Sequence, residues 1–258
     1  MKKTPAGIAL VLAGVFSGAI GVPQDVSSTE SLLDKLFAYA ADYRVKLPSL
    51  ECQESMTSER MKRGKATWAV RMEAVFQVTP DPAHRGESIE GRRVTSVDGK
   101  PPKEHWKIPY FVHNGFANAI GFGHPEARDC FDYVLTRVDG GPRLRLEMTA
   151  KLDLSAANCR EIIPSLHRVV LIDTEPIRIV RVEQSMSEKD AGKQKEPFYY
   201  AVEYGEQSFG PQILWLPVKA ESHDAKDEGR LEILYSNYHR FAAETRILPG
   251  SIAESQTP

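Results

Sequence analysis

The chain has 258 residues, of which 41% are hydrophobic and 26% charged, and its 33 basic and 35 acidic side chains give a formal net charge of −2. The two signs are mixed along the chain and form no basic stripe, which argues against nucleic acid as a partner.

The first segment has the features of a secretory signal peptide. Lys2 and Lys3 precede the uncharged stretch 6–22, and Ala19 and Gly21 are small residues at the positions that a signal peptidase reads. The apolar core of roughly 15 residues is shorter than the roughly 20 that span a bilayer. We therefore predict a signal peptide at 1–21, no transmembrane anchor after cleavage, and a periplasmic or secreted protein.

An amphipathic helix is the next predicted element. The segment 27–30, Ser-Ser-Thr-Glu, is typical of a helix cap, and Pro48 is a stop signal. Between them apolar residues recur at helical spacing: Leu32, Leu33, Leu36, Phe37, Ala40 and Tyr43. These signals predict a helix from about Thr29 to Lys46.

Most of the remaining chain is predicted to form strands with one apolar face. From Thr67 to Val78, and again from Leu144 to Leu152, apolar and mostly polar residues alternate. Asp98-Gly99 is the clearest hairpin signal. Ten strands are predicted, at about Leu50–Arg60, Lys65–Val78, Glu87–Val97, Cys130–Val138, Arg143–Leu152, Leu166–Asp173, Ile177–Met186, Phe198–Gly205, Ile213–Glu221 and Arg230–Phe241. We predict one domain over 22–248 and a disordered tail over 249–258.

The stretch 108–128 breaks the alternation. It contains Gly115, Gly121 and Gly123 together with several aromatic residues. Such a segment either plugs the open side of the sheet or forms a mobile lid over it, and the sequence leaves both alternatives open.

Three cysteines remain after the signal peptide. Cys130 begins one predicted strand, and the returning strand leads into the loop that holds Cys159, so both lie near one edge of the sheet. We predict a Cys130–Cys159 disulfide, which an oxidising compartment favours. Cys52 would then be a buried small hydrophobe.

No catalytic or metal motif is present. His105, His113 and His124 are separated by spacings that fit no metal signature, and the chain has no His-Glu-x-x-His, Gly-x-Ser-x-Gly or phosphate-loop motif. We therefore predict no catalytic residue, no metal and no cofactor.

Aromatic residues on the strands have two interpretations. Trp68, Phe76 and Trp215 could belong to an ordinary core that packs against the helix. Alternatively, one helix cannot cover ten strands, and part of the apolar face remains as a pocket for an acyl chain.

Several segments resemble a group of uncharacterised secreted bacterial proteins, which are similar in layout to the periplasmic lipoprotein carriers of the LolA-like superfamily. The resemblance implies an antiparallel sheet that curls into a half-barrel around a helix, with lipid or a lipoprotein acyl chain on the concave face. The matching segments are 47–52 (Leu-Pro-Ser-Leu-Glu-Cys), 97–100 (Val-Asp-Gly-Lys), 203–205 (Glu-Tyr-Gly), 209–210 (Phe-Gly), 214–218 (Leu-Trp-Leu-Pro-Val) and 237–241 (Asn-Tyr-His-Arg-Phe).

These observations predict a mainly β half-barrel, a curved antiparallel sheet wrapped around the N-terminal helix. The predicted function is non-enzymatic binding of a lipid or other hydrophobic ligand on the concave face. The alternatives are a periplasmic scaffold or partner-binding protein with a filled core and, third, an extracytoplasmic enzyme. The residues predicted to line the ligand site are Trp68, Val70, Met72, Phe76, Leu146, Met148 and Trp215.

Overall fold

A computed structural model describes residues 26–103, 120, 125–138, 141–159, 162, 165–186, 199–224 and 229–241. Its main elements in chain order are α1 (Val26–Lys46), β1 (Leu50–Lys62), β2 (Lys65–Pro80), β3 (Ser88–Val97), β4 (Phe131–Arg137), β5 (Arg143–Ala150), β6 (His167–Thr174), β7 (Ile177–Ser185), β8 (Tyr199–Phe209), β9 (Gln212–His223) and β10 (Gly229–Arg240). All ten predicted strands are therefore present.

The described strands form one curved antiparallel sheet in the order β3-β2-β1-β10-β9-β8-β7-β6-β5-β4. The first and last strands in the chain, β1 and β10, pair in its interior, so that two meanders join there. The edge strands β3 and β4 do not pair with each other, and the sheet stays open. The predicted fold class is confirmed.

One face of the sheet, called here the inner face, packs against α1. In β5, Leu144, Leu146, Met148 and Ala150 are buried while the residues between them are more exposed, as the alternation predicts. Buried residues of the helix, including Leu36 and Phe37, belong to the same hydrophobic cluster. The core therefore lies between α1 and the inner face.

The helix begins earlier than predicted, at Val26 rather than Thr29, so that segment 27–29 lies inside its first turn and not before it. It ends at Lys46, as predicted, and Arg44 and Lys46 place positive charge at its C-terminal end, where the helix dipole favours it. None of the helices among the described residues is both long enough and apolar enough to cross a membrane.

The predicted disulfide is confirmed. Cys130 and Cys159 are bonded, with 5.6 Å between their Cα atoms. The bond ties the start of β4 to the loop after β5, where the Lys151 amide also donates to the Cys130 carbonyl at 2.9 Å. Cys52 is free and buried, and burial is the main cause that raises the pKa of its thiol to about 12. A protonated thiol agrees with the predicted packing role.

Two of the strand ends that differ from the prediction have a visible cause. β5 ends at Ala150, whose amide donates to the Leu166 carbonyl, and Leu152 is fully exposed beyond it. β8 does not end at Gly205 but continues to Phe209, because β9 pairs with it over that whole length.

The Asp98-Gly99 turn forms, with positive φ at both residues, but Lys100 makes only an isolated bridge to Val97 and residues 101–103 form no strand.

Several predictions lie outside the described residues: the signal peptide 1–21, the tail 249–258 and the three histidines 105, 113 and 124. Most of the insertion 108–128 lies outside them as well. Of its described residues, Ile120 and 125–128, Ile120 is fully buried and belongs to the hydrophobic core, as either a plug or a closed lid would require.

Candidate functional site

The seven residues predicted to bind a ligand do not form one pocket. Five of them are buried in the core: Val70, Met72, Phe76, Leu146 and Met148. Trp68 is 50% exposed, although its position alternates correctly with Val70. The reason is its place near the β1–β2 turn, beyond the part of the inner face that the core covers.

The two tryptophans among these seven residues lie far apart along the strands. Trp68 is in register with Arg60, which pairs with Gly229 at the start of β10, and the Asp224 amide donates to the Gly229 carbonyl. Trp215 lies nine positions from Asp224, about 30 Å at roughly 3.3 Å per residue. Trp215 therefore marks the opposite end of the inner face.

At that end β8 and β9 form an arm, defined here as residues 204–217. β7 pairs with β8 only from Arg181↔Glu203 to Ser185↔Tyr199. β10 pairs with β9 only over residues 219–223 of β9. Within the arm, β8 and β9 pair only with each other. The sheet is thus split on both sides of the arm.

On the β7 side, side chains replace the missing backbone ladder. The Trp215 indole Nε1 donates to the Ile179 carbonyl at 2.6 Å. The Arg178 guanidinium lies 4.8 Å from the centre of the Trp215 ring and donates to Glu206 at 2.7 Å. These contacts fix the orientation of the indole.

On the β10 side, side-chain hydrogen bonds again take the place of backbone pairing. The Tyr238 hydroxyl donates to the Pro217 carbonyl at 2.9 Å, and Arg240 donates to the Gln212 side chain at 2.6 Å. The arm is therefore held in place without forming a continuous sheet.

A cleft of about 260 Å³, called here the arm cleft, separates the arm from the C-terminal end of α1. Its walls are mainly apolar and aromatic: Tyr39, Tyr43, Leu47, Pro48, Ile213, Leu214, Trp215 and Leu216, with Asp42 and Lys46 at the helix surface. The Tyr43 hydroxyl is buried and has no hydrogen-bond partner among the described residues. Burial, first of all, raises the pKa of Tyr43, so this hydroxyl keeps its proton and can donate it to a hydrogen bond.

The shape of the arm depends on a glycine. The register between β8 and β9 shifts next to Tyr204, which leaves Val218 without an opposite residue. A Cβ atom at Gly205 would lie 2.9 Å from the Val218 Cγ1 atom. Since valine is stiff at χ1, relief of this contact requires the backbone to shift.

We expect Gly205→Ala to lower the free energy of unfolding by about 1 to 3 kcal/mol, the usual cost of overpacking. Urea unfolding measures this loss of stability. Adding Val218→Ala to the Gly205→Ala variant should restore most of it. Gly91→Ala is the matched control, because nothing lies within 4 Å of a Cβ at this strand glycine. Equal effects of the two alanine substitutions would contradict the role assigned to Gly205.

Polar side chains form a second feature of the inner face. Five of them, called here the polar row, occupy inner-face positions on neighbouring strands: Arg168, Gln184, Tyr200, Ser222 and Ser58, with Leu231 between the two serines. Met148 pairs with Arg168 at one end, and Val70 pairs with Ser58 at the other. The polar row thus lies between two of the predicted ligand residues.

Arg168 is the charged member of the polar row. Its Nε donates to the Gln184 Oε1 atom at 2.9 Å, and the Tyr200 hydroxyl donates to the same oxygen at 3.4 Å. The guanidinium lies 5.7 Å from the centre of the Phe131 ring.

A buried ion pair is the third feature. Arg92 on β3 donates to both carboxylate oxygens of Glu54 on β1, at 2.5 and 2.8 Å, across the intervening strand β2. The Glu54 side chain is 0% exposed and that of Arg92 is 3% exposed. Sequence reasoning missed this pair and Arg168, although Glu54 alternates with Cys52 and Met56, and Arg168 with Val170, at inner-face positions.

The outer face, opposite α1, is charged. Arg181 forms ion pairs with Glu183, Glu203 and Glu221 on neighbouring positions of the sheet. A cleft of about 720 Å³ nearby is lined by polar and charged groups, including Glu59, Glu221 and Arg230. Its chemistry does not suit a hydrophobic ligand.

One group of described residues has metal-ligand character. Asp81, His84 and Glu87 lie in the β2–β3 loop with their ligand atoms within 4.8 Å of one another. His84 Nδ1 contacts Asp81 at 3.0 Å, and its side chain is 65% exposed. An exposed loop ion pair accounts for this arrangement.

No protein-family model matches the chain, and no curated protein matches it. Solved structures do match. A DUF1329 family protein from Desulfovibrio piger gives a TM-score of 0.41 at 14% identity, covering 83% of this chain and 94% of that one. A LolA superfamily protein from Nitrosomonas europaea gives 0.40 at 11% identity, covering 82% and 94%. A domain from Vibrio parahaemolyticus whose name refers to outer membrane lipoprotein sorting gives 0.40 at 11% identity, covering 83% and 95%. LolA-like proteins are thus among the solved structures to which the chain is similar.

Proposed function

We propose that this chain is an extracytoplasmic protein that binds a hydrophobic ligand, an acyl chain in particular, on the inner face of its open sheet and without catalysis. The observation that carries the proposal is the arm cleft. It is apolar, it lies on the side of the sheet that faces α1, and it contains Trp215, one of the residues predicted from sequence.

The size of the arm cleft limits what it can hold. Its volume of about 260 Å³ falls just below the range of roughly 300 to 1,000 Å³ typical of sites for drug-sized molecules. One end of a single chain therefore fits better than a whole lipid. Each buried methylene would contribute about 0.8 kcal/mol before ordering costs.

The Tyr43 hydroxyl adds a polar contact. An isolated buried hydroxyl costs free energy, about 1 to 3 kcal/mol in mutational data. This hydroxyl has almost no accessible surface, so a ligand atom that accepts a hydrogen bond, such as an ester or hydroxyl oxygen, would satisfy it after a rotation of the Tyr43 side chain. An acyl chain joined to an ester or amide, as in a lipid or a lipoprotein, supplies both parts.

The Cys130–Cys159 disulfide supports an oxidising compartment, since such bonds persist outside the cytosol. The predicted signal peptide points the same way. From the disulfide and the predicted signal peptide together we propose a periplasmic or secreted location.

Replacement of Trp215 by alanine is expected to weaken binding of a fluorescent fatty acid by at least about 10-fold, since full burial of an aromatic side chain is worth roughly 1.5 to 3 kcal/mol. Titration of the mature protein measures it. Because Trp215 also holds the arm, the second variant is Ile213→Trp, which fills the cleft from a position that is 57% exposed.

Val134→Ala serves as the control, because this residue on β4 is also 57% exposed and does not line the cleft. Trp68→Ala tests whether the ligand surface extends along the inner face, as the sequence predicts. Unchanged binding in both cleft variants would refute the arm cleft as the site. Native mass spectrometry of the protein from its own cell envelope would show whether lipid co-purifies.

A scaffold function is the second candidate. The observation that favours it is the close packing of five predicted ligand residues, which are at most 5% exposed. If no acyl compound binds, a partner that uses a sheet edge or the charged outer face becomes the better explanation.

A further inference from the structure

We propose that Arg168 binds an anionic group, a carboxylate or a phosphate, on the inner face of the sheet. The inference goes beyond the proposed function, because it adds an anion site on the β6 side of the face, away from the arm cleft. Its basis is a cation that the fold places among uncharged groups.

Among the described residues, no carboxylate is in ion-pair contact with Arg168. Its hydrogen-bond and ring contacts among the described residues are with the Gln184 oxygen and the Phe131 ring, both uncharged. Tyr133 and Tyr200 are the other titratable groups that face it, and burial raises the pKa of Tyr133, which therefore stays neutral.

Several other arginines of the sheet are paired with carboxylates, whereas Arg240, like Arg168, donates to a glutamine oxygen. The pairs among the described residues include Arg92 with Glu54, Arg143 with Asp173, Arg145 with Glu147, Arg178 with Glu206, and Arg181 with Glu183, Glu203 and Glu221. Arg168 is partly buried, and a charge that is withdrawn from water without a counter-ion costs free energy. Burial, the main cause, lowers the pKa of Arg168, whereas the hydrogen bond to Asp173 raises the pKa of Arg143.

The geometry suits an oxyanion. The Arg168 Nε donates a hydrogen bond to Gln184, and the Phe131 ring contacts the guanidinium. These two contacts restrict the Arg168 side chain to one orientation. Guanidinium groups bind carboxylates and phosphates through parallel hydrogen bonds. Arg168 is partly exposed, so an anion can reach it from solvent. The cleft of about 500 Å³ between the first half of α1 and β4 is a different place, because it is lined by Glu30, Asp34 and Asp129 and does not include Arg168.

Calorimetry with decyl phosphate, decanol and inorganic phosphate tests the proposal. The wild-type protein should bind decyl phosphate about 10- to 100-fold more tightly than decanol, the value of a hydrogen bond to a charged group. Arg168→Met should remove that difference and leave decanol binding unchanged. Arg168→Lys should keep part of it. Arg143→Met is the matched control, since it removes the same charge from the adjacent strand at a residue whose partner is Asp173.

The inorganic phosphate titration distinguishes the source of the anion. Binding as tight as that of decyl phosphate would assign the site to a free anion, and much weaker binding would assign it to a lipid head group. Both support the role of Arg168, provided that Arg168→Met abolishes the effect.

Equal affinity of the wild type for decyl phosphate and decanol, with no phosphate binding, would overturn the inference. So would a melting temperature of Arg168→Met far below that of Arg143→Met, because the charge would then serve the fold. If neither alkyl compound binds, the hydrophobic function fails, and the phosphate titration alone decides the role of Arg168.

Discussion

Replacement of Arg92 by methionine is expected to lower the free energy of unfolding by about 3 to 5 kcal/mol, the cost of leaving a buried charge without its partner. Glu54 would remain fully buried between the strands with two carboxylate oxygens that lose their donors. Phe76 would also lose the guanidinium that lies 5.8 Å from its ring centre. Urea unfolding of the purified protein measures the loss, provided that the dependence of the free energy of unfolding on urea concentration is the same for both proteins.

The ion pair of Arg143 with Asp173, on β5 and β6 in the opposite part of the sheet, provides the control. Its side chain is 42% exposed, and Asp173 is 34% exposed, so Arg143→Met should cost no more than about 1 kcal/mol. The double variant Arg92→Met, Glu54→Leu should regain most of the stability that the single substitution loses, because apolar replacements of a buried pair are often neutral. A loss from Arg92→Met as small as that from Arg143→Met would show that water reaches the pair.

Much of the fold follows from local patterns. The alternation in Thr67–Val78 and Leu144–Ala150 specifies strands and the face that is buried, and apolar residues at helical spacing specify α1. The disulfide pairing could also be predicted from the sequence, because Cys130 and Cys159 flank a hairpin that brings its two ends together. Each of these signals involves residues that are close in the sequence.

The functional features depend on distant residues. The partner of Glu54 is on β3, two strands away, and is defined only once β1 and β2 are in register. Alternation shows that a residue is on the inner face, but it does not show whether α1 or other side chains pack over that residue. Trp68 and Leu152 fit the alternation, yet they are exposed because they lie outside the covered part of the sheet.

The arm could not be predicted for a related reason. Gly205 looks like a strand end, but here it accommodates the Val218 side chain within a longer hairpin. The split from β7 and β10 is visible only in the pairing of four strands. The cleft that carries the proposed function therefore arises where backbone pairing stops.

Removal of the disulfide by Cys130→Ala with Cys159→Ala is expected to lower the free energy of unfolding by about 3 to 4 kcal/mol. The two residues are 29 positions apart, and a closed loop of that length restricts the unfolded chain by about this amount in the chain-entropy account. Urea unfolding of the double variant against the oxidised wild type measures the difference. Addition of a reductant to the wild type should reproduce most of it.

Cys52→Ala separates this effect from other thiol chemistry. Cys52 is buried and forms no disulfide, so its alanine variant should lose packing energy and the contact with the Tyr238 hydroxyl, and it should still respond to the reductant as the wild type does. The Lys151 amide would still bond to the Cys130 carbonyl in the double variant, which favours a native-like edge around β4. A double variant as stable as the wild type would mean that its unfolded state is already compact in this region, because the disulfide would then restrict little chain entropy.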